Sequence, residues 1–129
     1  MDTNFELKRQ ELKQSKRIKA MFHILLTPRG VSEKSINNAA NCMSGRNIPT
    51  DLERKYNIQL VYPRIRRTAS DGSLYSVYQL KDNEQVNKLV KLIEQNCLRY
   101  NLPIFDQVLI DKAIERFERY FETIAAKKG

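Results

Sequence analysis

The sequence is poor in the residues from which catalytic and disulfide-stabilised sites are built. Its 129 residues include two cysteines and a single histidine, His23. Cys42 and Cys97 are too few for a disulfide framework and lie in no metal-ligand pattern, so we predict that both are small buried hydrophobic residues. His23 lies in an apolar run, where a core histidine with a local hydrogen bond is the expected role. The sequence has no Ser/His/Asp set, metal-ligand cluster or glycine-rich phosphate loop, so we expect no enzyme, no cofactor and no metal site.

Long hydrophobic runs are also missing. The longest, residues 20–26, is interrupted by His23 and is too short to span a bilayer. The N-terminus, Met-Asp-Thr-Asn-Phe-Glu, lacks the succession of regions that makes a signal peptide. We therefore expect a cytoplasmic protein without a membrane partner. The length, with 41% hydrophobic and 29% charged residues, suits one compact domain.

Positive charge is what the sequence has in excess. The formal net charge is +8; residues 1–81 hold 15 Lys/Arg against 7 Asp/Glu, whereas residues 82–129 hold 8 of each. A basic field attracts polyanions. Because the excess is confined to one part of the chain, nucleic acid is the expected partner; a solvated basic surface is the alternative explanation.

Two short helices joined by a glycine turn are predicted after a first, basic helix. The first helix is expected to begin near Thr3, unless residues 1–14 form a loose basic arm, and to end at Pro28 and Gly30. Ser32 has the features of an N-cap. The apolar stripe of the second helix comprises Ile36, Ala39, Ala40 and Met43. After the turn at Gly45, a third helix begins around Asn47 to Pro49, with three inward residues, Ile48, Leu52 and Tyr56.

A β-hairpin is predicted next. Its first strand runs from Ile58 to about Arg67, and Pro63 makes it an edge strand or places a bulge there. The turn Ser-Asp-Gly-Ser at residues 70–73 leads to a returning strand from Leu74 to Leu80.

Two longer helices follow the hairpin. Asp82 is predicted to cap one whose apolar face comprises Val86, Leu89, Val90, Ile93 and Cys97. Asp106 is predicted to cap the last, whose stripe comprises Ile110, Ala113, Ile114, Phe117, Tyr120, Phe121 and Ile124. The preceding helix can cover only part of this stripe, so a homodimer is expected through Ile110, Ile114, Phe117, Phe121 and Ile124. The alternative is that both helices fold back to complete one core.

The candidate site combines the third helix with the hairpin. The outward face of that helix comprises Arg46, Asn47, Thr50 and Arg54. Arginine matches the two acceptors of guanine, and asparagine matches adenine. Asp51 and Glu53 would repel phosphate unless they turn away or pair with Arg54 or Lys55. On the hairpin, Arg64 and Arg66 alternate with Ile65 and share one face, and Arg67 and the tip residue Ser70 complete the predicted backbone contacts.

Residues 15–80 resemble the winged-helix domains of small phage and prophage regulators. The matching segments are Ser-Lys-Arg-Ile-Lys-Ala-Met-Phe-His-Ile-Leu-Leu, Val-Ser-Glu-Lys-Ser-Ile-Asn-Asn-Ala-Ala and the closing Tyr-Ser-Val-Tyr-Gln-Leu, with Leu52, Ile58 and Leu60 between them. The turn Ser-Gly-Arg-Asn-Ile-Pro is longer than usual in that family. The resemblance covers about half of the chain.

The expected fold is therefore mainly α with a small β-hairpin: an arm or helix start at residues 1–14, a winged helix-turn-helix at 15–81 and a two-helix extension at 82–129. The resemblance implies binding of double-stranded DNA by a transcriptional regulator or accessory factor of a phage or mobile element. The alternative function is a protein-interaction or inhibitor module that docks on a host or nucleic-acid-handling protein.

Overall fold

Five helices and one hairpin form the part of the chain that the structure, a computed structural model, describes: residues 15–42, 44–100 and 107–128. The elements in chain order are α1 (residues 15–26), α2 (Glu33–Ala40), α3 (Asn47–Lys55), β1 (Ile65–Thr68), β2 (Leu74–Val77), α4 (Asn83–Arg99) and α5 (Gln107–Lys128). The mainly helical fold with a small hairpin is as predicted. The predicted basic arm, the helix start at Thr3, Met43 and the cap at Asp106 lie outside the described residues.

The start of α2 is fixed by local hydrogen bonds. The Ser32 hydroxyl accepts the Ser35 N–H at 3.1 Å, and the Ser35 hydroxyl accepts the Ser32 N–H at 3.0 Å. This reciprocal capping box confirms Ser32 as the N-cap. The helix ends sooner than its apolar pattern suggests, because Asn41 adopts the left-handed conformation at φ 52°. Ala39 was expected on the apolar stripe but is exposed, and the buried residues of α2 are Ile36 and Ala40.

The turn between α2 and α3 is held to α2 by a hydrogen bond. Gly45 is buried, and its N–H donates to the Asn37 Oδ1 atom at 2.6 Å. The third helix begins at Asn47, as predicted, and buries Leu52 completely. Tyr56 was expected on the same inward stripe, but it follows the last helical residue and its exposed fraction is 38%.

The hairpin is shorter than predicted and is anchored at its base. Strands β1 and β2 pair antiparallel from Ile65 opposite Val77 to Thr68 opposite Leu74. The predicted first strand is divided, because Pro63 has no N–H for the ladder; Leu60 makes an isolated bridge to Leu80 and β1 begins only after the proline.

A further bridge joins the hairpin to the start of α2. The Val31 N–H donates to the Tyr78 carbonyl at 2.8 Å, and the Tyr78 N–H donates back at 2.7 Å. Beneath this bridge, a Cβ atom at Gly30 would lie 2.4 Å from the Val77 side chain. The hairpin therefore lies directly on the connection between α1 and α2.

One hydrophobic core runs through the described chain and takes residues from all five helices. The predicted face of α4 is buried in full: Val86, Leu89, Val90, Ile93 and Cys97. Because α4 and α5 enter the same core as α1, the described parts of residues 15–81 and 82–129 are not separately packed units.

The last helix buries two residues that were expected at a dimer interface. Ile110 and Phe117 have exposed fractions of 1% and 0% within a single chain. Ile114 and Phe121 are half-buried and pack against the same core, and Ile124 is also half-buried. The helix folds back on its own chain, so two of the five predicted interface residues belong to the core and three remain half-buried.

We expect Gly45→Ala to destabilise the protein by about 1–3 kcal/mol, as overpacking in a core does. The new Cβ atom would lie 2.6 Å from Asn37 Oδ1 and 2.9 Å from the Glu33 carbonyl, so the backbone of α2 would have to move. Urea unfolding measures the loss. Gly72→Asn is the control. Gly72 lies in the open hairpin turn with φ 89°, and a Cβ atom there would meet no atom beyond its chain neighbours within 4 Å. Asparagine tolerates this conformation, so the loss of unfolding free energy should be smaller. Equal losses at both sites would contradict the packing argument.

Candidate nucleic-acid interface

The outer face of α3 carries the four residues that its helical period places there. Arg46, Asn47 and Arg54 are exposed, and within the described residues none of their side chains has an ion pair or a hydrogen bond. Thr50 is half-buried, and its hydroxyl donates to the Arg46 carbonyl at 3.0 Å. The structure thus brings these four residues onto one surface at the start of α3.

Asp51 is neutralised by α1 and by its own helix. Arg17 Nη1 lies 3.1 Å from Asp51 Oδ2, and Lys55 Nζ lies 3.8 Å from Oδ1. The other terminal nitrogen of Arg17 donates to the Tyr56 hydroxyl at 3.3 Å. The sequence suggested Lys55 as a partner; it did not indicate Arg17, which lies 34 residues away.

Glu53 is paired with Arg64, the residue before β1. The Arg64 guanidinium contacts both carboxylate oxygens of Glu53 and donates to the Val61 carbonyl at 3.2 Å. The Arg64 Cζ atom also lies 5.3 Å from the centre of the Tyr78 ring, in a cation–π contact. Arg64 was expected to face phosphate. Its guanidinium is instead engaged within the chain, where it joins the base of the hairpin to α3.

The remaining hairpin arginines lie on opposite faces. Arg66 is exposed and pairs across the sheet with Ser76, so it shares a face with Tyr78 and hence with Arg64. Arg67 lies on the other face, where its Nη2 atom donates to the Arg29 carbonyl at 2.8 Å. The three arginines therefore do not form one continuous patch.

The hairpin tip combines hydroxyl groups with one carboxylate. Ser70 is exposed in the turn. Beside it, hydrogen bonds from the Ser73 hydroxyl at 2.6 Å and the Ser73 N–H at 2.9 Å lower the pKa of Asp71. Asp71 is therefore ionised at neutral pH, and it limits how closely a phosphate can approach the tip.

A polar groove separates the first turn of α2 from β2. Its lining combines Ser32, Lys34, Asn37, Ser73 and Ser76 with the acidic residues Glu33 and Asp71. Hydroxyl, amide and ammonium groups of this kind donate readily to phosphate oxygens. Of the β2 residues in this lining, Ser76 shares a face with Arg66, whereas Tyr75 shares a face with Arg67.

Nearly the whole chain matches the model of a protein family. A family model described as "Uncharacterised protein PM1773" matches residues 4–129. The chain belongs to this family. No curated protein and no solved structure matches it. The region shared with the PM1773 family includes all five helices and the hairpin, so the site described above lies entirely within it.

Two further features concern the described residues of this PM1773-family chain. None of their helices is long and apolar enough to cross a bilayer. Nor do they bring three or more histidine, cysteine or acidic side chains together in a group that could hold a metal ion.

The histidine and the two cysteines are buried or half-buried within the protein. His23 was expected in the core with a local hydrogen bond; it is instead half-buried on α1, and its Nε2 atom lies 3.1 Å from the hydroxyl of Ser35 on α2, 12 residues away. Cys97 is buried as predicted, and burial followed by the charge of Glu94 raises the pKa of its thiol. Cys42 is only half-buried, and its Sγ atom lies 3.7 Å from Asn37 Oδ1.

Burial lowers the pKa of His23 below its ordinary value of 6.5. The unfolded chain then binds a proton more readily than the folded one, so the free energy of unfolding should fall as the pH drops through 6.5 and should be level above it. Urea unfolding between about pH 7 and pH 5 measures this slope, before most carboxylates titrate. His23→Gln should flatten it; an unchanged slope in this variant would assign the effect to other groups.

Proposed function

We propose that the protein binds double-stranded DNA as a winged helix-turn-helix, with α3 in the major groove and the hairpin beside it. One observation carries this proposal. Asp51 and Glu53, the two carboxylates of α3, are both paired within the protein. Within the described residues, the exposed Arg46, Arg54 and Arg66 have no ion pair. Paired carboxylates repel phosphate much less than free ones, so the surface keeps an excess of positive charge.

The arrangement of the elements supports the same proposal. A recognition helix presents its N-terminal side chains to base edges. Arg46, Asn47 and Thr50 stand at that end of α3, and Arg54 follows two turns later. Asn37 and Gly45 hold the turn that sets α3 against α2.

Two contacts of the hairpin with the helices support its proposed role as a wing. The Val31–Tyr78 bridge ties it to the start of α2, and the pair of Arg64 with Glu53 ties it to α3. In this proposal Arg64 is a positioning residue, while Arg66 and Ser70 contact the DNA backbone. Arg67, on the opposite face, reaches backbone only if the duplex bends around the hairpin.

A role as transcriptional regulator or accessory factor of a phage or mobile element is the finer part of the proposal. It rests on the resemblance of residues 15–80 to small phage regulators. Cytoplasmic location belongs to the same finer part, since DNA is the intended ligand.

Selection of bound fragments from a random pool of duplex DNA tests the function directly. We expect an enriched sequence whose binding weakens steeply with salt. Arg66→Ala should reduce the slope of log affinity against log salt by about one unit, the loss of one phosphate contact. Asn47→Ala should alter the selected sequence more than the overall affinity.

Lys91→Ala is the matched control for these variants, because this exposed cation lies on α4. It should leave the salt slope unchanged. A wild-type protein that retains no duplex at low salt would refute DNA binding. Equal effects of Arg66→Ala and Lys91→Ala would refute the proposed role of the hairpin.

Pairing of two copies is a separate part of the proposal, since two recognition helices would match a palindromic site. The half-buried Ile114, Phe121 and Ile124 are the stripe residues left for it. We expect sedimentation at tens of micromolar to show a dimer that Ile124→Glu weakens. Phe117→Glu should instead unfold the chain, because it places a charge in the core. A monomeric wild type would refute the homodimer.

A further inference from the structure

A second positively charged surface lies between α5 and the turn from α1 to α2. Two adjoining depressions share Leu26, Arg116 and Arg119 and form one groove. Its cationic rim comprises Arg29, Lys112, Arg116 and Arg119. Its apolar floor comprises Leu26, Pro28, Ala113 and Tyr120.

The cations are arranged by the period of α5. Lys112, Arg116 and Arg119 are spaced i, i+4 and i+7, so they lie on one face of the helix. Arg119 pairs with Glu115, but the two side chains are 75% and 56% exposed, and such pairs contribute only about 0–1 kcal/mol. Within the described chain, Arg29, Lys112 and Arg116 have no ion pair.

This groove is distinct from the proposed DNA-binding surface. Its edge is marked by Arg67, which bonds to the Arg29 carbonyl from the hairpin face opposite Arg66. A straight duplex on α3 and Arg66 would therefore leave the groove open.

The combination of floor and rim selects the chemistry of the partner. Duplex DNA offers phosphates for the rim, but its bases are stacked inside the helix and present no apolar face to Leu26 and Tyr120. An amphipathic helix with carboxylates along its edges offers both, in the helix-in-groove mode of peptide recognition. We propose that this groove binds an acidic amphipathic segment of a partner protein. The protein can then hold DNA on one surface and a protein partner on another.

A display library of random peptides, long enough for about four helical turns, provides the probe. It is panned against the full chain. The selected peptides should combine Asp and Glu with apolar residues at helical spacing. Their affinity, measured by fluorescence anisotropy, should fall about tenfold or more in the double variant Arg116→Glu, Arg119→Glu, because attraction becomes repulsion.

The matched control is Lys16→Glu, Lys91→Glu, which makes the same charge change at two exposed residues of α1 and α4. It should retain peptide binding. Circular dichroism checks that both variants fold. Arg116→Gln with Arg119→Gln serves if charge reversal disturbs α5, and it should weaken the peptides in the same direction.

Four results would overturn the proposal. The first is a library that yields no binder, and the second is a set of selected peptides without acidic residues. The third is a peptide affinity that is the same in the groove variant and in the control variant. The fourth is loss of random-sequence duplex binding, or of a dimer in sedimentation, in the groove variant with no loss of peptide affinity; the groove would then belong to DNA or to a second copy. The proposed function on α3 can fail without affecting any of these peptide measurements.

Discussion

The charge that α3 presents to solvent depends on two arginine–carboxylate pairs made with neighbouring elements. Arg17 of α1 holds Asp51, and Arg64 at the base of the hairpin holds Glu53. Partly exposed pairs of this kind contribute little to the free energy of unfolding, about 1 kcal/mol or less each. Their effect here is geometric and electrostatic. They fix one side of α3 against the protein, remove its negative charges from competition with phosphate, and leave the opposite side to solvent.

Much of the fold follows from signals that lie within a few residues of one another. The caps at Ser32 and Asp82, the hairpin turn and the buried face of α4 are visible in the sequence because each involves near neighbours. The predicted bounds of helices and strands are wrong where a local conformation ends an element early. Asn41 stops α2 before its apolar period is exhausted, and Pro63 divides a segment whose composition otherwise favours a strand.

The residues of the candidate site show the same difference between local and long-range interactions. The outward face of α3 follows from the helical period alone, so Arg46 and Arg54 lie where the sequence puts them. The hairpin arginines do not, because their partners are distant in the chain: Glu53 is 11 residues from Arg64, and Arg29 is 38 residues from Arg67. Three arginines within four positions suggested a single patch, but strand alternation and these tertiary contacts separate them.

The last helix shows why net charge is a poor guide to surface chemistry. Residues 82–129 are neutral as a set, which directed attention to the first part of the chain. Yet the exposed acids of α5, Asp111, Glu115, Glu118 and Glu122, form one stripe, and the cations one residue further on form another, about 100° around the helix. Burial of Ile110 and Phe117 fixes the rotation of α5, so the cationic stripe faces the turn after α1 and only Glu115 of the acids reaches that groove. Core packing thus converts a neutral sequence into a charged surface.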